Sequence, residues 1–198
     1  MPFTPNNKQN VSTTRGVKGG YFFSAPIGTQ GAPTKANFTT WASSVPTGWE
    51  NQGYIPEDGI TENVDMDSGE AIPDINLDEV DRTEGTTSES VTVGLMEIAR
   101  APLATQYGHE NVTDENGVIE VKHNWSNASE HRQYVFLLLL KDGRKWVKYI
   151  PDGKRTGLDE LTLNKKTVAQ RQVTITYLTD ENGSGCYDWI ESTETSAG

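Results

Sequence analysis

Residues 131–150 read HRQYVFLLLLKDGRKWVKYI, two apolar runs separated by a short polar turn. The Asp142-Gly143 pair between the runs is a strong hairpin signal, because both residues accept the backbone angles of a tight turn. The first run is apolar at consecutive positions, which predicts a central strand that is buried on both faces. The second run sets Val147 and Tyr149 against lysines, which predicts a strand with one more polar face. The stretch therefore predicts an antiparallel sheet at the centre of the fold.

Segments on both sides of this hairpin also have the composition of strands. GYFFSA at 20–25 is aromatic and lies between a glycine and a proline. SESVTVGLM at 88–96 and QVTITYL at 172–178 are rich in β-branched residues, and CYDWIE at 186–191 follows a polar turn. We also expect a strand to begin at LTL, residues 161–163. Together these segments predict a mainly β fold, an antiparallel β-sandwich or barrel.

One helix and several less regular segments complete the predicted organisation. EIARAPLATQYG at 97–108 predicts a flanking helix that ends at Gly108 and is short or kinked because of Pro102. Residues 26–49 show no lasting period, which predicts a long loop whose aromatic residues pack on another surface. We expect a flexible N-terminal arm at 1–18, a single β-sandwich domain at 19–191 that includes this loop, and a frayed tail at 192–198.

Charge is distributed unevenly along the chain, which has 198 residues and a net charge of −11. Residues 1–49 contain four bases and no acid, for a charge of +4. Residues 50–97 contain 14 acids and one base (−13), and residues 98–198 contain 14 acids and 12 bases (−2). This asymmetry indicates that different surfaces meet different neighbours. The acidic balance argues against nucleic-acid binding, which depends on cationic groups that neutralise phosphates.

Motifs that carry chemistry are scarce in this sequence. The single cysteine, Cys186, excludes an intrachain disulfide and a cysteine-based zinc cluster. The histidines, His109, His123 and His131, stand outside any metal-binding pattern, and no nucleophile elbow or phosphate-binding glycine loop occurs. We therefore expect no catalytic residues, no metal and no cofactor. We also expect neither a signal peptide nor a membrane span, because no early apolar segment and no 18-residue apolar run is present.

Three blocks of sequence, taken in order, resemble a known family. VKGGYFFSAPIGTQGAPT at 17–34 runs from a strand into Ala-Pro-x-Gly-Thr. GWENQGYIPEDGITENVDMD at 48–67 contains Gly-Tyr-x-x-Glu-Asp-Gly-Ile-Thr, and MEIARAPLATQYGHENV at 96–112 reaches Tyr-Gly before Asn-Val. In this order and spacing the blocks resemble the major tail proteins, or tail tube proteins, of long-tailed bacteriophages, especially those of Gram-positive hosts. The resemblance extends from Val17 to about Ile190.

The resemblance implies a structural role without enzyme activity or a cofactor. Subunits of this family are β-sandwiches or barrels with a flanking helix, and they form hexameric rings that stack into the tube through which the genome leaves. The resemblance implies synthesis in the host bacterial cytoplasm and a place in the virion tail. It also implies contacts with further copies of the chain and with the tape-measure, tail terminator and tip proteins. DNA would pass through without specific binding, and no membrane would be contacted. The tube protein of the type VI secretion system has a similar fold and remains an alternative.

Two sets of residues are predicted to carry this role. Packing between subunits is assigned to aromatic residues of the long loop and of the block after it, namely Phe38, Trp41, Trp49 and Tyr54. An acidic channel would repel phosphates and let duplex DNA slide. The candidate channel acids come from the acidic run at 57–89 and are Glu57, Asp58, Glu62 and Asp65. The simpler interpretation of this run is a solvated surface.

Two other classes of function are compatible with the same residues. A non-catalytic β-sandwich that binds carbohydrate would stack sugars on exposed tryptophans, since an indole ring offers a large flat apolar surface. The five candidates for such stacking are Trp41, Trp49, Trp125, Trp146 and Trp189. A hydrolase would need two carboxylates that the fold brings together across the sequence.

Overall fold

The computed structural model describes residues 11–17 and 21–193. In this part of the chain the secondary structure is mainly antiparallel strand, with one α-helix. The elements are β1 Thr14–Gly16, β2 Phe22–Pro26, β3 Glu50–Asn51, β4 Ile60–Met66, β5 Ala71–Pro73, β6 Glu79–Arg82, β7 Thr87–Leu95, α1 Arg100–Tyr107, β8 Val112–Glu115, β9 Val118–Val121, β10 His131–Leu140, β11 Lys145–Leu158, β12 Arg171–Tyr177 and β13 Tyr187–Ile190.

Nine of these strands form one sheet in the order β3-β2-β10-β11-β12-β7-β4, with β1 also paired to β10 and β13 to β11. The pairs β5-β6 and β8-β9 form separate two-stranded sheets. Within the described residues the large sheet does not close into a barrel. The mainly β class with a single flanking helix is therefore confirmed, and of the two predicted architectures the fold is the sandwich-like one.

The central hairpin predicted from residues 131–150 is formed by β10 and β11. Its turn contains Gly143 at a φ of +91°, which a residue with a side chain rarely adopts. The strand β11 is longer than predicted and runs for 14 residues, through Pro151 to Leu158. On the side of β11 that faces away from β10, the paired strand changes from β13 to β12 at Pro151. The N–H that proline lacks therefore falls at a break in the hydrogen-bond ladder.

Apolar clusters cover both faces of this sheet. Because side chains alternate along a strand, the adjacent Phe22 and Phe23 of β2 serve different clusters. Phe22 stacks on Phe136 with the ring centroids 4.3 Å apart, and Phe23 meets Trp41 edge-on at 5.5 Å. The first cluster comprises Phe22, Val91, Val93, Leu95, Tyr134, Phe136, Ile150, Val173, Ile175 and Tyr177. The second comprises Phe23, Ala25, Trp41, Trp49, Val135, Leu137 and Val147.

The sheet curls around the first of these clusters. The ammonium of Lys148 on β11 donates to the carboxylate of Glu62 on β4 at 2.8 Å, although β4 lies three strands away in the sheet order. In a flat sheet three strand spacings would separate these strands by about 14 Å. The contact therefore requires a strongly concave face, with both side chains directed into it.

The flanking helix lies inside the segment predicted for it. It covers Arg100–Tyr107 and ends at Gly108, whose N–H donates to the carbonyl of Ala104 at 2.7 Å. Pro102 is the third residue of the helix, where a backbone N–H has no intrahelical acceptor. The proline therefore fits without a kink, and the helix is short, as predicted.

Two segments differ from the expectations. Thr14–Gly16, inside the predicted flexible arm at 1–18, forms β1, because β10 extends past the end of β2 and offers its edge to a further strand. The LTL stretch at 161–163 is not a strand but part of an irregular segment between β11 and β12. The rest of the arm, residues 1–10 and Lys18, and most of the predicted frayed tail lie outside the described residues.

We expect Phe136→Ala to lower the free energy of unfolding by about 3–5 kcal/mol, because a fully buried phenyl ring is replaced by a cavity. Chemical denaturation followed by tryptophan fluorescence measures the loss. The matched control is Val118→Ala on β9, where 65% of the side chain is exposed and a change within about 1 kcal/mol is expected. An equal loss in both variants would contradict the placement of the core.

Candidate functional site

The long loop at 26–49 packs against its own sheet. Trp41 and Trp49 are both buried, and their rings meet edge-on with centroids 5.3 Å apart. Each indole N–H donates to a carbonyl of the same loop, from Trp41 to Gly31 at 2.7 Å and from Trp49 to Gln30 at 3.3 Å. The two tryptophans therefore fasten the loop over the second apolar cluster and belong to the core of the subunit.

The four residues predicted to pack between subunits thus fall into two groups. Trp41 and Trp49 face the subunit's own core, which leaves Phe38 and Tyr54 with side-chain surface for a neighbour. Phe38 is half-buried beside Trp189, with the ring centroids 6.5 Å apart. Tyr54 is 67% exposed. Burial of the two loop tryptophans also makes them unsuitable as stacking surfaces for sugars.

Tyr54 begins a turn that is fixed from two sides. The hydroxyl of Tyr21 accepts a hydrogen bond from the N–H of Ile55 at 2.8 Å, and the carboxylate of Glu97 accepts one from the N–H of Tyr54 at 3.0 Å. The turn closes between Pro56 and Gly59, whose φ is +73°. A groove of about 460 Å³ separates this turn from β1. The turn is therefore a rigid part of the surface and lies beside the free side of an edge strand.

Residues 60–95 form one long hairpin that leads away from the sheet. β4 and β7 pair from Ile60↔Val93 to Met66↔Thr87, and β5 and β6 continue the hairpin beyond them. Ile60 packs on the first cluster, whereas every residue of β5 and β6 is exposed. The segment contains ten acidic residues and one basic residue, Arg82. We call residues 60–95 the acidic hairpin.

The candidate channel acids differ in their surroundings. Glu57 and Asp58 are exposed on the Pro56–Gly59 turn, and Asp65 is exposed on β4. Glu62 instead accepts hydrogen bonds from Lys148 at 2.8 Å and from the hydroxyl of Tyr177 at 2.9 Å. The charge of Glu62 is therefore compensated within the chain, whereas the side chains of the other three are exposed to solvent.

Lys148 on β11 is a buried cation that points into the concave face. Its ammonium donates to Asp188 at 2.7 Å as well as to Glu62. Burial lowers the pKa of Lys148, but the hydrogen bonds to Asp188 and Glu62 outweigh burial and raise it, so the group stays charged. Burial raises the pKa of the neighbouring Cys186 thiol to about 12, so this thiol remains protonated at neutral pH.

A second network of charges joins β3, α1 and β10. Oε1 of Glu50 accepts a hydrogen bond from Arg100 at 2.8 Å. Oε2 of Glu50 accepts one from Arg132 at 3.1 Å and also lies 3.1 Å from Nε2 of His109. The Nδ1 of His109 is hydrogen-bonded to Glu130. The side chains of Arg132 and His109 are largely shielded from solvent, whereas those of Arg100 and Glu130 are 39% and 38% exposed.

The hydrogen bonds of this network shift the pKa values of Glu50 and His109. The hydrogen bond from His109, aided by the nearby arginines, holds the pKa of Glu50 at about 2. Burial lowers the pKa of His109, but hydrogen bonds to Glu130 and Glu50 reverse this and raise it above its ordinary value of 6.5. His109 is therefore charged in the folded protein at a pH where it is neutral in the unfolded chain.

Sequence reasoning missed this network, and the reason is its spacing. Glu50 and His109 are 59 positions apart, and neither belongs to a recognisable motif.

Among the residues that the structure describes, no group of three or more His, Cys, Asp and Glu side chains is placed to hold a metal ion. Within the same described ranges, no helix is long and apolar enough to cross a membrane.

Comparison with known proteins adds one match. A family model described as "Phage tail tube protein" matches residues 5–198, which is nearly the whole chain. No match was found among curated proteins. The family match spans both apolar clusters, the long loop and the acidic hairpin, so all of these features belong to the matched region.

We expect the free energy of unfolding to fall as the pH rises from about 6.5 through the raised pKa of His109. The folded state holds this proton more tightly than the unfolded chain, so its contribution is complete below the unfolded pKa and is lost above the folded one. Denaturant titrations from mildly acidic to alkaline pH measure the slope. His109→Gln should abolish this loss, whereas His123→Gln, outside the network, should retain it. A slope that is unchanged in His109→Gln would exclude the network as its source.

Proposed function

The chain belongs to the phage tail tube protein family, and from this membership we propose that it self-assembles into stacked rings that form a conduit for genome delivery. Membership itself makes the chain a structural protein of the bacteriophage tail. The proposal adds the assembly mode and the passage of DNA through the channel. A structural protein of this kind needs surfaces that bind further copies of itself, and the subunit offers several.

The open sheet is the observation that carries the proposal. In the described residues β4 ends the sheet on one side and β3 on the other, and β1 lies at the same side as β3. An edge strand presents a row of unpaired N–H and C=O groups that can pair with another chain. Two different edges on one subunit favour head-to-tail contacts, which close into a ring when the rotation between subunits allows it.

Further parts of the proposal rest on the resemblance of the blocks at 17–34, 48–67 and 96–112. They are six subunits in each ring, contacts with the tape-measure, tail terminator and tip proteins, synthesis in the host cytoplasm and a Gram-positive host. At the level of residues, Tyr54 and the exposed part of Phe38 contact the neighbouring subunit. Trp41 and Trp49 act indirectly, because they hold the loop that presents Phe38.

Negative-stain electron microscopy of the concentrated pure protein tests the assembly. We expect rings or tubes with a central channel, and we expect Tyr54→Ala to reduce their number without changing the unfolding curve, because that side chain is mostly exposed. Val118→Ala, another exposed apolar side chain, is the control and should assemble normally. A persistent monomer that is retarded on a glycan column would instead support a carbohydrate-binding module.

We propose that Glu57, Asp58 and Asp65 face the channel, and Asp58→Lys tests this placement. A lysine inside the channel would bind phosphates, so tubes of this variant should retain short duplex DNA and protect it from nuclease. The matched control is Glu181→Lys, which changes the charge of an exposed turn after β12. The placement would be wrong if the DNA bound by Asp58→Lys tubes were digested as fast as the DNA bound by the control.

A further inference from the structure

We propose that the tip of the acidic hairpin of one subunit docks into an apolar groove beside α1 of a second copy. The tip comprises residues 74–78, and the groove lies between α1 and the irregular segment that joins β11 to β12. This inference rests on the proposed self-assembly, and it specifies one of the contacts that would join the subunits.

The tip holds two aliphatic side chains in the solvent. Ile75 is 97% exposed and Leu77 is 83% exposed, so neither contributes to the subunit's own core. The carboxylate of Asp74 accepts hydrogen bonds from the N–H groups of Asn76 at 2.7 Å and Asp78 at 3.0 Å. These bonds fix the turn even though Leu77 has a φ of +67°, which is unfavourable for a residue with a side chain. The tip is therefore held in one turn conformation by hydrogen bonds, and its two apolar side chains are not buried within the subunit.

The groove is the apolar counterpart of this tip. Its volume is about 220 Å³, which suits one or two aliphatic side chains rather than a whole strand. Ile98 and Leu163 on its walls are 73% and 72% exposed, so the groove is unfilled in the single subunit. The residues that line it are Leu95, Glu97, Ile98, Leu103, Gln106, Leu161, Leu163, Ala169, Gln170 and Arg171.

Charge around the two surfaces is complementary. The acidic hairpin carries ten acidic residues and one basic residue, for a net charge of −9. The segment 161–171, which supplies one wall of the groove, carries three basic residues and no acidic one, for a net charge of +3. Lys165 and Lys166 lie in the exposed part of this segment, between the groove residues Leu163 and Ala169. Such an arrangement attracts an acidic partner and orients it.

The position of the hairpin in the subunit favours docking of the tip into the groove of a different copy. Leu95, which lines the groove, is the last residue of β7 at the base of the same hairpin. Leu77 lies 18 positions earlier, and Ile75 and Leu77 are 97% and 83% exposed, so the tip does not fill its own groove. A tip that fills the groove of another copy leaves its own groove free, and the contact therefore propagates from subunit to subunit.

Disulfide trapping tests this contact. Leu77→Cys and Leu163→Cys are made separately in a Cys186→Ala background, mixed and oxidised gently, and covalent dimers are counted on a non-reducing gel. Docking raises the effective concentration of the two thiols from micromolar to about millimolar, so we expect dimer yields about tenfold or more above the control. The control mixture pairs Leu77→Cys with Val118→Cys, whose side chain is exposed to a similar degree.

The outcomes separate this proposal from the proposed function. A dimer yield above the control supports docking whether or not tubes are seen, and a yield equal to the control overturns it even when tubes form. Tubes of the unmodified protein under the microscope decide the assembly proposal independently. Each variant is also checked by its unfolding curve, which should match the Cys186→Ala parent because Leu77 and Leu163 are both mostly exposed.

Discussion

Burial of β10 on both faces is the constraint on which the rest of the structure depends. A strand that is apolar at consecutive positions from Tyr134 to Leu140 has apolar side chains on both of its faces, so both faces must be packed against other parts of the chain. The gain is large, because burial of apolar surface stabilises the fold by about 25 cal/mol per Å². The curled sheet covers one face, and the long loop at 26–49, fastened by Trp41 and Trp49, covers the other. The loop is thus a structural layer.

These two layers bury the faces of the sheet but leave the outer sides of its edge strands unpaired in the described residues. The unpaired edges connect the fold to the proposed assembly. The ion pair between Glu62 and Lys148 holds β4 against the concave face, and the network around Glu50 holds β3 near α1 and β10. Both edges of the curl are therefore anchored by charges, yet within the described residues they stay open to another chain. In the proposed assembly, such a subunit gains its remaining strand pairs and apolar contacts from further copies of itself.

Much of the fold could be predicted because its signals are local. The central hairpin, the strands β2, β7, β12 and β13 and the short helix follow from turn residues and from the period of apolar side chains. The candidate functional residues were harder to predict from the sequence. The acidic run gave no local sign of the rigid turn at 74–78, and the aromatic residues of the loop do not reveal whether their partner is the same subunit or its neighbour.

By itself the sequence determined the antiparallel β class, the single helix, the uneven charge and the resemblance to tail tube proteins. Only the tertiary structure decided which charges meet, since Glu62 and Lys148 are 86 positions apart and Glu50 and His109 are 59 apart. The physical reason is the curl of the sheet. Strand and turn propensities act over a few residues, whereas the curl brings distant strands together and fixes which faces are covered and which edges remain free.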